Sequence, residues 1–298
     1  MADSSRNDQI SQGVIDAIGA LGNRHRLQIL VALAMGAEEL QHREAELPFT
    51  ELHDAVDVKS SSQFAYHLDQ LTGRFVSETP NGYRLTYSGH KIVRTILSGS
   101  YESSSAFEER PIEGVCVFCE ASSLLATLED ERFVVRCDGC ESVLLTNDLP
   151  RSQARGRSPE QIVASFGYRI WGEYVHLRGS VCPECFGPVN TRIESHERGD
   201  KTLYTHASTC RECRFMLHMP VEVATAFHPV VIHDLWTHGI SLLDVPLWQF
   251  FEFITSGDIT TKQVSDDPIE LSCTISFGDE PLSFAIDNTV AVAPVDRS

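Results

Sequence analysis

The sequence predicts an α+β multidomain protein: an N-terminal winged helix-turn-helix, then a double zinc-ribbon-like domain with a β-rich C-terminal tail. Three observations predict it. Residues 14–99 give the order helix, helix, short helix, helix, hairpin, helix. Eight of the nine cysteines fall in four C-x-x-C pairs, all beyond residue 115. Residues 258–295 read as four strands in a meander. The expected division is a winged helix over 1–99, a linker over 100–111 and a ribbon and β domain over 112–298. Within the last, ribbon 1 covers about 112–150, a helix 159–178, ribbon 2 about 180–220, and a helix with the β tail 221–298.

Taken in order, Val14, Ile15 and Ile18 give the first helix one apolar face. "NRHRLQILVALAMG" is the second, with Asn23 as N-cap and Gly36 as its stop. "EELQHREAE" (38–46) reads as a connecting turn. "PFTELHDAV" (48–56) reads as a short helix with Thr50 as N-cap, and "SSQFAYHLDQL" as a Ser-capped helix. "GRFVSETPNGYRLTYSG" is a hairpin whose Asn81-Gly82 supplies two left-handed turn residues. "SGHKIVRTILSG" (88–99) closes the unit. In the second domain Ser158, Pro159 and Gln161 make a capping box for a long helix lined by Ile162, Phe166, Ile170 and Tyr174. Residues 180–220 loosely repeat the cysteine pattern of 112–150. "PVVIHDLWTHG" is a short helix ended by Gly239, and "PLWQFFEF" reads as apolar and irregular. Cys273 alternates with Leu271 and Ile275 onto one strand face, which marks it as a buried core residue.

The chain of 298 residues carries 42 acidic and 24 basic side chains, a formal net charge of −18, and only four lysines. This acidic, Lys-poor surface resembles that of proteins from salt-loving archaea. The charge is uneven: 12 acidic against 9 basic residues up to residue 100, and 30 against 15 after it. The N-terminal third is therefore the part least hostile to a nucleic acid. The longest apolar run, "LQILVALAM", is half the length needed to span a bilayer, and the first residues have no basic or apolar leader pattern. The expectation is a cytoplasmic protein without a membrane partner.

The pairs Cys116/Cys119, Cys137/Cys140, Cys182/Cys185 and Cys210/Cys213 have metal-knuckle spacing. Two intervening residues let both thiolates reach one ion, and two such turns give a tetrahedral site. Zn²⁺ is the expected occupant, two per chain. Four Cys ligands leave no open position for a substrate water, so the zinc is expected to be structural. Sequential pairing is simplest, but the first pair could share an ion with the fourth and the second with the third. His206 and His218 read as packing or surface residues rather than ligands. No Ser/His/Asp order, phosphate loop or distinct carboxylate pair stands out, so no enzyme is expected.

On the helix beginning near residue 60, Phe64, Leu68 and Leu71 face the core, and His67 borders them. The opposite side presents Ser60, Ser61, Ser62, Gln63, Tyr66 and Gln70. Gln pairs with adenine edges, and Ser donates to or accepts from several bases. Lys59, Arg74 and Arg84, with Arg24, Arg26, Lys91 and Arg94, are phosphate-contact candidates; about half of the arginines are expected to be solvated or locally ion-paired instead. Asn81 and its neighbours Pro80, Gly82 and Tyr83 form a wing tip that can approach the minor groove. The predicted partner is double-stranded DNA.

The segments "LGNRHRLQILVAL", "FTELHDAV", "SSSQFAYHLDQLTGRFV" and "NGYRLTYSGHKIVRTIL" resemble the winged-helix domain of ArsR-type transcription regulators of halophilic archaea. "CVFC…CDGC…RSPEQ…CPEC…CREC…HPVV…HG" with "LWQFFEF" is similar to the C-terminal domain that accompanies it there. The resemblance implies a homodimer formed through the first and last helices of the winged domain, about 10–21 and 88–98. Metalloid sensors of that family use Cys in the DNA-reading region. No Cys precedes residue 116 here, so the resemblance does not extend to that sensing. A zinc-ribbon adaptor for protein or RNA, and a thiol redox sensor, are the competing readings.

Overall fold

The computed structural model describes residues 10–39, 46–102, 106–198, 201–278 and 280–295. It is an α+β protein with several antiparallel sheets, divided into two compact units, Met1–Glu102 and Ser103–Ser298. None of the described helices is long and apolar enough to cross a membrane.

The first unit runs α1 (Gln12–Leu21), α2 (Arg24–Glu39), α3 (Phe49–Asp54), α4 (Ser61–Asp69), β1 (Val76–Thr79), β2 (Gly82–Leu85) and α5 (Tyr87–Ser98). Asn23 caps α2, its Oδ1 accepting from the amides of His25 at 3.0 Å and Arg26 at 3.3 Å. α2 touches each of the other four helices. Its Ile29, Leu30 and Leu33 are buried against Leu52, Phe64, Leu68 and Val93. Burying each such side chain contributes about 1.5–3 kcal/mol, which is why the 3.6-residue spacing decides how the helix sits.

Several local expectations are corrected. Gly36 does not stop α2, which runs on to Glu39. A Cβ there would lie 2.6 Å from Leu47 Cδ1, so the glycine makes room for that side chain. The segment 38–46 falls largely outside the described residues. Pro48, not Thr50, precedes α3, and Thr50 lies within its first turn. The hairpin loop is Pro80-Asn81, because Thr79 pairs with Gly82. Gly82 is instead a strand residue at φ +147°, whose missing Cβ would lie 2.3 Å from the Leu47 carbonyl oxygen. That clearance lets Leu47 and Tyr83 exchange two backbone hydrogen bonds of 3.0 and 2.9 Å, adding a third edge to the hairpin.

The second unit opens with β3 (Phe107–Ile112), β4 (Leu124–Glu129), β5 (Arg132–Cys137) and β6 (Val143–Asp148), an antiparallel sheet in chain order. Residues 107–111 of the expected linker 100–111 belong to β3. α6 (Arg151–Ala154) and α7 (Pro159–Arg178) follow, then a three-stranded sheet of β7 (Val189–Arg198), β8 (Lys201–Cys210) and β9 (Met216–Pro220). α8 (Val221–Ala226), α9 (Pro229–Thr237) and α10 (Leu247–Thr255) lead into the meander β10 (Ile259–Asp266), β11 (Ile269–Ile275), β12 (Leu282–Ile286) and β13 (Val292–Pro294). "PLWQFFEF" is thus mostly helix α10, not irregular chain. α7 starts at the predicted capping box and forms the centre of the core. Its Phe166 stacks on Phe133 of the first sheet at 4.2 Å, and its Tyr174 meets His206 of the second at 5.5 Å. Trp171 donates its Nε1 proton to the Val245 carbonyl at 2.9 Å. Cys273 is fully buried on β11.

Candidate metal centres and nucleic-acid interface

Each C-x-x-C pair sits on a tight turn beside a strand, and all four turns are built alike. The first cysteine's amide donates to the carbonyl five residues on: Cys116 to Ala121 at 3.0 Å, Cys137 to Ser142 at 2.9 Å, Cys182 to Gly187 at 2.9 Å and Cys210 to Phe215 at 2.8 Å. The residue after each second cysteine is left-handed: Glu120 at φ 61°, Glu141 at 56°, Phe186 at 63° and Arg214 at 65°. For non-glycine residues this conformation costs about 1–2 kcal/mol, so its fourfold recurrence marks a turn imposed by its surroundings. The turn brings backbone amides toward sulfur: Gly187 N lies 3.4 Å from Cys185 Sγ, and Glu212 N lies 3.4 Å from Cys210 Sγ.

The pairing is sequential. Cys116, Cys119, Cys137 and Cys140 form one group and Cys182, Cys185, Cys210 and Cys213 the other, with all Sγ atoms of a group within 4.8 Å of one another. The register explains it: Leu124 lies opposite Cys137 on β4–β5, and Val189 lies opposite Cys210 on β7–β8, so each hairpin folds its own two turns together. The closest sulfurs are 3.6 Å apart in the first group and 3.5 Å in the second. Four thiolates about 2.3 Å from one tetrahedral ion would stand about 3.8 Å apart, so both donor sets fit a metal ion. In every pair the first cysteine is buried; Cys119, Cys185 and Cys213 are exposed and Cys140 is half-buried. Neither His206, buried on β8, nor the exposed His218 on β9 belongs to a ligand set.

Thiols this crowded do not ionise alike without a compensating cation. Burial pushes Cys116 up to about 12, whereas the Ser142 hydroxyl, 2.9 Å from Cys140 Sγ, draws that thiol down to about 6. Two cations also brace the first group. Lys201 Nζ donates to Glu120 Oε1 at 2.6 Å and to the Val117 carbonyl at 3.4 Å. Arg198 donates to the Cys140 carbonyl at 3.3 Å and lies 4.9 Å from the Phe118 ring centre. Both come from the far end of the β7–β8 hairpin, more than 50 residues away in sequence. No local pattern could have flagged them, although a Ser two residues after the last cysteine was visible.

In the first unit, Ser60 caps α4, its Oγ accepting from the Gln63 amide at 3.5 Å and lying 2.7 Å from Ser62 Oγ. Phe64, His67 and Leu68 are buried, while Ser60, Ser61, Ser62, Gln63, Tyr66 and Gln70 are exposed together. Burial, with His25 and Arg26 nearby, holds the His67 pKa below its ordinary value. Lys59 and Asn81 are exposed, and Arg84 is half-buried on β2. Arg74 lies 3.9 Å from Asp16 of α1, and Arg26 donates to the Gly19 carbonyl at 3.5 Å, so these two cations also serve the α1–α2 region.

Comparison with known families bears on both units. The family model described as "Domain of unknown function (DUF7351)" matches residues 113–292, more than half of the chain, and the chain belongs to that family. A second model, "Domain of unknown function (DUF7347)", matches residues 15–96, which enclose most of α1, all of α2 to β2 and most of α5. No curated protein matches the chain.

Proposed function

We propose that this protein is a dimeric, sequence-specific DNA-binding transcription regulator with an N-terminal winged helix and two structural zinc ions in its C-terminal domain. The observation that carries the DNA reading is α4. It is anchored by Phe64 and Leu68 and presents an exposed turn of Ser, Gln and Tyr without Lys or Arg. The N-terminal residues of the second helix of a helix-turn-helix reach base edges, and these side chains hydrogen-bond to them. β1 and β2 form the wing. Ile10, Val14, Ile15 and Ile18, on and beside α1, are all exposed, as a helix that pairs with a second copy would require.

The lack of cations on α4 suits a chain of net charge −18 that works in concentrated salt. At molar ionic strength the screening length is about 3 Å, and affinity from counterion release collapses. Short-range contacts to base edges and groove shape then carry recognition. In each four-cysteine site zinc would crosslink two turns and leave two negative charges, which Lys201 and Arg198 offset at the first site.

Selection from a random duplex library by the full chain, in about 2 M KCl, tests the regulator reading. A recovered palindromic consensus is expected. Recovery of no consensus refutes it and leaves the ribbon domain as an adaptor for protein or RNA. Metal analysis of the same preparation separates the redox reading: two zinc ions per chain, with no free thiol except Cys273, is the expected result.

A further inference from the structure

The second unit has a partly open cavity of about 460 Å³ between the C-terminal end of α7, β7, β8, α8, the start of α9 and the turn before β13. Small-ligand sites typically span roughly 300–1,000 Å³. Its chemistry departs from that of its surroundings. Residues 101–298 hold 30 acidic side chains against 15 basic ones, yet no Asp or Glu is among the described residues lining the cavity. Arg178 is the one permanently charged side chain there.

The polar groups are set in place by the fold. Arg178 spends Nη1 on the Phe227 carbonyl at 3.0 Å and lies 5.8 Å from the Phe227 ring centre, which fixes the guanidinium at the rim. Ser208 is 1 % exposed and shares a 3.0 Å hydrogen bond with Thr191. His206 is 3 % exposed, and its Nε2 has no hydrogen-bond partner among the described residues. Burial pulls His206 down to about 4, so it lines the cavity as a neutral side chain. The rest of the lining includes Leu177, Val189, Ala224 and Val292, an apolar floor for a short hydrocarbon body.

We infer that this cavity binds a small organic monocarboxylate, with its carboxylate on Arg178 and its body over Leu177, Val189, Ala224 and Val292. A single fixed positive charge matches a singly charged anion. A phosphate dianion would ask for more donors than one guanidinium supplies. The inference stands apart from DNA binding and from the zinc sites, since the cavity contains no cysteine.

The test uses the full chain in molar KCl and a probe panel of acetate, butyrate, hexanoate, benzoate and phenylacetate, each up to about 10 mM. Hexanamide, benzamide and inorganic phosphate are the uncharged and dianionic arms, and thermal unfolding with ligand-observed NMR is the readout. At about ten times its Kd, at least one monocarboxylate is expected to raise Tm by about 2–5 °C. The amides and phosphate are expected to leave it unchanged. Arg178→Gln should weaken that binding at least about tenfold, and Ala291→Trp at the rim should block it, while Arg132→Gln in the first sheet has no effect. Absence of binding by every monocarboxylate, equal binding of an amide, tighter binding of phosphate, or unchanged affinity in Arg178→Gln overturns the inference.

Discussion

The two units are held together by different means. The first packs α1 to α5 around Ile29, Leu30, Leu33, Leu52 and Phe64 and contains no cysteine. The second has a larger apolar core, yet Cys116, Cys137, Cys182 and Cys210 are part of it, each the buried member of a C-x-x-C pair in a group that could hold a metal ion. In the first unit, the exposed polar turn of α4 lies outside the core and can meet a partner. In the second, the most reactive side chains are consumed by its architecture. Stability that depends on an ion and stability that depends on packing alone should separate under experiment.

The largest separation follows metal removal. Structural zinc contributes an apparent free energy of about 10–16 kcal/mol in small zinc domains, comparable to a whole domain's stability. A strong chelator under reducing conditions is therefore expected to abolish cooperative unfolding of the second unit and leave the helical signal of the first. Cys137→Ser or Cys210→Ser should each halve the zinc content and do the same locally, as read by metal analysis and circular dichroism. The converse variant is Gly82→Ala. Its Cβ would meet the Leu47 carbonyl at a left-handed position, so a loss of about 1–3 kcal/mol confined to the first unit is expected, with zinc content unchanged.

A smaller effect distinguishes the two metal centres. Cys185 and Cys213 are exposed in the second, whereas Lys201 and Arg198 brace the first. A thiol reagent should release the second zinc first. Lys201→Met with Arg198→Met should bring the first release rate up to about tenfold closer to it, the equivalent of about 1.4 kcal/mol in barrier.

The smallest effect belongs to Glu222, buried on α8, whose carboxyl is pushed above the usual range by desolvation. A raised carboxyl pKa favours the protonated folded form. Its stability contribution is present at low pH and lost as pH climbs from the unfolded value through the folded one. Glu222→Gln should therefore raise Tm at neutral pH, change it little in acid, and leave both zinc sites filled.

Much of this organisation was legible in the sequence because its signals are local. C-x-x-C spacing, the Ser158–Gln161 capping box and the alternation around Cys273 each lie within a few residues. What was missed depends on distant partners. Gly36 reads as a helix stop until Leu47 is seen to need its space, and Asn81-Gly82 reads as the turn until Leu47 is found beside Gly82. α10 keeps helical spacing at Leu247, Phe250, Phe251 and Ile254, but Trp248 and Phe253 between them blur the apolar stripe. β3 hid in the expected linker because its central residues are charged or Pro, as suits an edge strand. The sequential cysteine pairing, left open by spacing, is decided by the strand registers. The Arg178 cavity draws on five separated segments and has no sequence signature.

The measurement that bears most directly on the account is the affinity of the full chain for its selected duplex in about 2 M KCl, compared with the Ser62→Ala, Gln63→Ala, Tyr66→Ala triple variant. These side chains are exposed on α4 and outside the core, so the variant should keep its zinc and its Tm. At least about a hundredfold loss of affinity is expected, the scale of two lost base contacts. Equal affinity with an unchanged footprint would contradict it.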